Sequence, residues 1–125
     1  MLVLIACAMA IGLSACAQSP LKVLSATRYK GHPLGPSDGF PEKPGYVFLK
    51  LSYLDLSEDD RKKDLYITDG KTRYPVQFVG FSIDGAKRHS FVVATVPASQ
   101  LEFQAVLGDY PPTSFKVDSV ILDQP

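Results

Sequence analysis

Two histidines are the side chains of this sequence best suited to acid–base chemistry near neutral pH. His32 lies in a loop-forming segment rich in proline and glycine, and His89 directly follows Lys87 and Arg88. Neither histidine is accompanied by a partner motif, the serines form no nucleophile elbow, and no glycine-rich run leads from a strand into a helix. We therefore expect both histidines to be solvated surface residues and the protein not to be an enzyme. A weak hydrolase that uses His32 or His89 with a loop carboxylate is the catalytic alternative.

Carboxylates are concentrated between residues 55 and 64. Such a cluster could bind a hard cation such as calcium, which takes six to eight oxygen ligands. The ligand spacing of a calcium loop is missing, and Arg61, Lys62 and Lys63 stand inside the run and neutralise it. We therefore expect a hydrated loop, with no metal and no cofactor. The carboxylates concerned are Asp55, Glu58, Asp59, Asp60 and Asp64.

Cys16 ends an apolar segment that carries no charged residue from Met1 to Ala17. A helix that spans a bilayer needs about 20 apolar residues, so this run suits a signal peptide better than a permanent anchor. The thiol of Cys16 is a nucleophile, and it is preceded by one aliphatic and two small residues, Leu13, Ser14 and Ala15.

These four residues resemble the lipobox of bacterial lipoproteins. The resemblance implies cleavage between Ala15 and Cys16, attachment of a diacylglyceryl group to the thiol, and acylation of the new amino group. Two or more lipid chains give stable membrane attachment. Two alternatives remain open, namely ordinary signal cleavage before Gln18, which would release a soluble protein, and a retained membrane helix. The segment departs from most signal peptides because its first basic residue is Lys22.

The resemblance also implies a location in the cell envelope. Ala17 lacks the acidic character that signals inner-membrane retention in this family, so we expect the outer membrane, facing the periplasm or the cell surface. The 125 residues then divide into a signal peptide at 1–15, the lipidated Cys16 with a short tether at 16–20, and one domain at 21–125. Thirteen basic and thirteen acidic residues cancel without forming a block, which argues against nucleic-acid binding.

Alternation of apolar and polar residues predicts strands along most of the domain. Tyr46 to Leu54 is the clearest strand and should be central, with Val47, Leu49, Leu51 and Tyr53 on one face. The pairs Asp69-Gly70 and Asp84-Gly85 favour tight type I′ turns. The first turn would join a strand at 65–68 to a strand at 71–79, which continues through 76–83. The second turn would join that strand to one at 86–96, so that the three strands form a meander. Further strands are predicted at 21–29, at 101–105 and from 115 to 122, and Ser57 could cap one helical turn with Asp60.

About seven short antiparallel strands and no substantial helix predict an all-β, immunoglobulin-like β-sandwich, with a small β-barrel as the alternative. The strand order resembles that of the immunoglobulin-like domain of unknown function found behind lipoboxes in bacterial surface lipoproteins. Residues 45–51, 65–70 and 91–97 carry this resemblance. Members of that group share no single activity, so the resemblance implies none.

Aromatic residues beside the proline-rich segments at 33–44 and 111–112 predict a partner surface. The residues of this surface are His32, Phe40, Tyr46 and Tyr110. Four other phenylalanines at strand spacing, Phe78, Phe91, Phe103 and Phe115, are expected to serve core packing.

Together these patterns favour a lipid-anchored cell-envelope lipoprotein that acts as a non-catalytic binding or assembly module. Its expected partners are the membrane, through the N-terminal lipid, and an envelope protein. The alternative is a small inhibitor or ligand-binding lipoprotein of the periplasm or cell surface that uses the loop at 30–45.

Overall fold

A computed structural model describes residues 18–31, 43–85 and 87–123. Ala15, Cys16, His32 and Phe40 lie outside these ranges. Within them the chain forms eight strands and one helical turn, and no helix is long and apolar enough to cross a membrane. The elements are β1 (Val23–Tyr29), β2 (Tyr46–Leu54), α1 (Glu58–Arg61), β3 (Leu65–Thr68), β4 (Arg73–Pro75), β5 (Gln77–Asp84), β6 (Lys87–Pro97), β7 (Glu102–Leu107) and β8 (Thr113–Lys116).

The strands form two antiparallel sheets of four strands each, in the orders β1-β2-β6-β5 and β4-β3-β7-β8. Their apolar faces enclose one core, which confirms the predicted all-β sandwich. The sheets do not close on each other, so the barrel alternative is wrong. Constant-type immunoglobulin domains have sheet orders A-B-E-D and C-F-G. In this chain β1, β2, β6 and β5 take the places of A, B, E and D, and β3, β7 and β8 take the places of C, F and G. β4 is an additional strand beside β3.

β2 is one of the two central strands of its sheet, as predicted, and lies between β1 and β6. Val47, Leu49, Leu51 and Tyr53 are all buried in the core because successive side chains of a strand alternate between its faces. The opposite sheet contributes the ring of Phe103, which stacks on Phe115 with 5.8 Å between ring centroids.

The core is confined to the sandwich itself. Every buried hydrophobic residue of the described ranges lies between Leu21 and Val117. A chain that begins at Gln18 therefore includes all of the core that the structure describes.

The predicted three-stranded meander is wrong, because β4 and β5 belong to different sheets. The segment expected as one continuous strand breaks after Pro75, which has no N–H to continue a sheet ladder. Val76 belongs to neither strand, and Gln77 begins β5 opposite Val93 of β6. The strand count is therefore eight instead of about seven.

The two Asp-Gly turns differ from the predicted two-residue turns. Thr68 pairs with Arg73, so the first loop has four residues, and the Asp69 carboxylate accepts hydrogen bonds from the N–H groups of Lys71 (2.9 Å) and Thr72 (2.8 Å) within it. An aspartate that binds the backbone two residues on forms such a turn by itself. At the second turn Asp84 pairs with Lys87 and is the last residue of β5, so it is a strand residue and not the turn residue that was predicted.

Candidate functional site

The candidate site is an open cleft between the two sheets, beside edge strand β5. In the opposite sheet, β4 has only three residues and lies against β6. The side of β5 that faces the opposite sheet is therefore left uncovered. The resulting space, called the β5 cleft below, has a volume of about 380 Å³.

Apolar side chains form about half of the wall of the β5 cleft, and the other half is polar or charged, namely Asp60, Arg61, Lys63, Asp64, Arg88 and Ser90. Phe78 is the most exposed of the apolar side chains, at 59% of its surface. It is directly opposite Val92, a core residue, so it points to the inner side of its sheet and still meets solvent. The prediction that Phe78 serves core packing is wrong for this reason. The apolar lining consists of Tyr53, Leu56, Leu65, Val76, Phe78, Val92 and Leu107.

Two further apolar residues of β5 extend this surface toward the end of the strand. Phe81 and Ile83 are 51% and 67% exposed, and they pair with Ser90 and Arg88 on the inner side of the sheet. The guanidinium carbon of Arg88 lies 3.8 Å from the Phe81 ring centroid, a cation–π contact. A run of exposed large apolar side chains is typical of an interaction site.

A small polar group lies in the cleft wall. The Ser90 hydroxyl donates to Oδ1 of Asp55 at 3.5 Å, and Nε of Arg88 is 3.8 Å from Oδ2 of the same carboxylate. Burial raises the pKa of the Tyr53 hydroxyl, and the nearby charge of Asp55 raises it further. At neutral pH the site therefore offers a protonated phenol, a hydroxyl and an ion pair.

His89, the one histidine that the structure describes, does not face this polar group. His89 is the residue before Ser90 in β6, so its side chain lies on the opposite face of the sheet. A serine acting as a nucleophile needs a base within hydrogen-bond reach. The geometry around Ser90 is suited to binding and gives the hydrolase alternative no support at His89.

The rim of the cleft contains Asp60 and Arg61 of α1 and, just after α1, Lys63 and Asp64. Ser57 caps α1 by accepting the N–H of Asp60 at 3.2 Å, as the sequence predicts. The Asp60 carboxylate accepts the Tyr110 hydroxyl at 3.0 Å and lies 3.5 Å from Nζ of Lys63. The bond to Asp60 raises the pKa of Tyr110. In the described ranges no three histidine, cysteine or acidic side chains converge as metal ligands.

Of the predicted partner surface the structure describes Tyr46 and Tyr110, and these two residues lie apart. Tyr46 opens β2 and pairs with Pro97 at the end of β6, where Nζ of Lys43 lies 5.2 Å from its ring centroid. Tyr110 contacts α1 at the opposite end of the sandwich. These two aromatic residues therefore cannot contact one small ligand together.

Sequence reasoning missed the β5 cleft because alternation identifies the two faces of a strand but not which face is covered. The register of β5 shifts between Phe78 and Gly80, which places Phe78, Phe81 and Ile83 on one side at uneven spacing. A bulge of this kind at a glycine is the one signal in the sequence that could have pointed to the site.

Comparisons with models of protein families, with curated proteins and with solved structures found no match to this chain.

Proposed function

We propose that this protein is a lipoprotein of the cell envelope, held at the outer membrane by acylated Cys16. Its β domain would be a non-catalytic module that binds an envelope partner through the β5 cleft. The single observation that carries the binding role is the uncovered inner side of β5, where Phe78 stays more than half exposed beside core residues.

The position of β1 supports this role, since it links the anchor to the cleft. Val23 opens β1 opposite Tyr53, whose side chain lines the cleft, and Leu21 is already buried. The five residue-to-residue steps from Cys16 to Leu21 can span at most about 18 Å when the chain is fully extended. An acylated Cys16 would therefore hold the cleft end of the domain close to the bilayer, within reach of partners at the membrane surface.

The lining of the cleft suits an apolar segment of such a partner. Removing one large apolar side chain from water contributes about 1.5–3 kcal/mol when it is fully buried. The exposed half of Phe78 can supply about half of that, and the Ser90 hydroxyl and the Arg88–Asp55 ion pair can orient polar groups of the partner at the edge of the contact.

The volume of the cleft favours a second candidate function, the binding of a small apolar ligand. Ligand pockets usually measure about 300–1,000 Å³ and combine apolar walls with a few polar groups. The β5 cleft, at about 380 Å³ with Tyr53 and Ser90 in its wall, falls in that range. In this second function the protein has the same lipid anchor, but the cleft binds a small molecule instead of a partner protein.

The anchor is tested by the paired variants Cys16→Ser and Cys7→Ser in the full chain, expressed in a bacterium supplied with radiolabelled palmitate. We expect Cys16→Ser to lose the label and to leave the membrane fraction. Cys7→Ser is the matched control and should behave as the wild type. A Cys16→Ser protein that stays labelled and membrane-bound would refute the anchor.

The binding role is tested by photo-crosslinking from the cleft in living cells. A benzophenone amino acid at position 78 should capture one discrete envelope protein, whereas the same group at Ser25, an exposed position on β1, should not. Native mass spectrometry that finds a co-purified small apolar molecule would favour the second candidate. No adduct of either kind at position 78, or equal capture from both positions, would contradict a binding role for the cleft.

A further inference from the structure

The four sheet edges of this protein are not equally protected against pairing with another strand. Exposed edges are commonly protected by shortness, by proline or lysine, or by a covering segment. β4 has three residues and includes Pro75, and β8 has four residues and ends in the exposed Lys116. The end of β1 is covered by the C-terminal segment, where Leu122 forms a bridge to Tyr29.

β5 is different from the other three edges. It has eight residues, and it contains no proline, lysine or arginine. Its second half, from Gly80 to Asp84, follows the bulge and pairs with β6 without a further shift in register. Phe81 and Ile83 in this half are exposed. β5 is thus the edge best suited to receive another strand.

The hydrogen-bond pattern of β6 shows how its backbone is oriented. The N–H of Asp55 donates to the carbonyl of Arg88 at 2.8 Å, although the residues directly opposite each other are Leu54 and His89. The pair formed by Leu54 and His89 is therefore a non-hydrogen-bonded pair of the β2–β6 ladder. His89 consequently directs its own N–H and C=O away from β2 and toward β5.

Backbone groups of β5 also alternate in direction, and this determines which of its N–H and C=O groups have no partner in β6. Ser82 is directly opposite His89 and therefore bonds to β6 through its backbone. Phe81 and Ile83, on either side of Ser82, direct their N–H and C=O groups to the open edge. These two residues thus combine free backbone groups with exposed apolar side chains.

We infer that two copies of this chain pair through β5, in antiparallel orientation about a two-fold axis at Ser82. In this register Phe81 of each copy lies directly opposite Ile83 of the other copy. The two-fold axis therefore generates two equivalent Phe81–Ile83 pairs. The four free backbone groups of each copy then make four N–H···O=C bonds across the axis. Asp84 is the one charged residue in the sequence of β5, and this register places it opposite Gly80 of the other copy.

Self-pairing explains why this edge is apolar and almost uncharged. The axis is perpendicular to the sheet, so the inner faces of both copies lie on the same side. The two β6 strands are then three strand spacings apart, about 14 Å, and the two β5 clefts open into one groove. Phe78, Phe81 and Ile83 of both copies form the floor of this groove.

The contact is small, so we expect a reversible dimer. It consists of two short strand segments and falls below the roughly 1,200 Å² typical of stable interfaces. The dimer should form at high protein concentration and dissociate on dilution. It depends on β5 alone and does not require the proposed lipid anchor.

The experiment uses residues 18–125, which carry the core and contain no cysteine. In Ser82→Cys the two introduced thiols face each other in a non-hydrogen-bonded pair, with about 4.5 Å between Cα atoms, a distance that a disulfide accepts. We expect Ser82→Cys to form a covalent dimer at least tenfold faster than Ser114→Cys, an exposed position on edge strand β8. Equal rates for the two variants would overturn the proposal.

A proline at position 83 separates pairing from folding. The N–H of Ile83 faces the open edge, so Ile83→Pro removes a donor that the β6 ladder does not use. By sedimentation equilibrium we expect a dimer for the wild type and for Ile83→Val, and at least a tenfold weaker dimer for Ile83→Pro with an unchanged circular dichroism spectrum. If proline unfolds the chain, Ile83→Lys serves instead, since this side chain is exposed in the monomer. A wild type that remains monomeric at millimolar concentration would refute the inference.

Discussion

The side chain of Arg28 ties together three parts of the sandwich, and its removal gives the sharpest prediction for stability. Arg28 lies in β1 and is only 1% exposed. Nη1 donates to the carbonyl of Ala98 in the turn after β6, and Nη2 donates to the carbonyl of Asp118 after β8, both at 2.6 Å. The backbone carbonyl of Arg28 also accepts the N–H of Leu122 at 2.9 Å. None of the described carboxylates forms an ion pair with this guanidinium.

Replacement by methionine keeps an unbranched side chain and removes the donors. Each hydrogen bond from a charged group contributes about 1.5–3 kcal/mol, so two bonds amount to about 3–6 kcal/mol. Part of this loss of stability is offset, because the variant no longer buries a charge without an ion-pair partner. We therefore expect Arg28→Met to lower the free energy of unfolding by about 2–4 kcal/mol. Arg61→Met, an exposed position in α1, is the matched control and should change it by less than about 0.5 kcal/mol.

Urea unfolding followed by circular dichroism measures the difference, since the chain has no tryptophan. Hydrogen exchange adds a local readout. In Arg28→Met the amides of Val117 and Leu122, which bond to Leu101 and Arg28, should lose protection before those of β2. An Arg28→Met protein as stable as the wild type would show that the two carbonyl bonds do not outweigh the cost of burying the charge.

Three further variants test the contribution of the core, of the cap of α1 and of a carboxylate at low pH to stability. Leu49→Ala, at a fully buried position of β2, should lower the free energy of unfolding by about 2–5 kcal/mol in urea titrations. Ser57→Ala should remove the cap of α1 and lower the same free energy by about 1 kcal/mol, without changing the spectrum of the sheets. Hydrogen bonds from the backbone of Thr72 and Lys71 lower the pKa of Asp69, so its carboxylate stabilises the fold above its unfolded-state pKa of about 3.9. This stability is lost as the pH falls below that value, and Asp69→Asn should flatten the decline in urea midpoints measured there.

Much of the sandwich can be predicted from the sequence because its central strands are strongly patterned. The bounds of β2 and β3 agree with the predicted Tyr46–Leu54 and Leu65–Thr68. In β2 every second residue from Val47 to Tyr53 is apolar and buried, and a register slip of one residue would turn that set to the other face of the sheet. The cap of α1 was predictable for a similar reason, since Ser57 and Asp60 have the spacing that a cap requires.

The sheet change after β4 could not be predicted from alternation. Residues on both sides of Pro75 alternate as strand residues do, and the pattern contains no information about which sheet each half joins. Only the missing N–H of Pro75 marks the break. The sheet that each half joins depends on strand pairing in the folded domain, where Tyr74 pairs with β3 and Gln77 pairs with β6.

The candidate site was harder to predict than the fold. Phe78 and Phe103 have similar sequence surroundings, yet Phe103 is buried and Phe78 is exposed. The difference depends on whether another strand lies opposite, which is a property of the assembled sandwich. The aromatic residues chosen from the sequence, Tyr46 and Tyr110, are near proline-rich segments but lie at opposite ends of the domain.

Mass spectrometry of the N-terminal peptide, taken from protein purified from whole cells, tests the proposed lipid anchor most directly. The proposal predicts a peptide that begins at Cys16, with a diacylglyceryl group on the sulfur and an acyl chain on the amino group. An unmodified peptide that begins at Gln18, or an intact Met1, would contradict it.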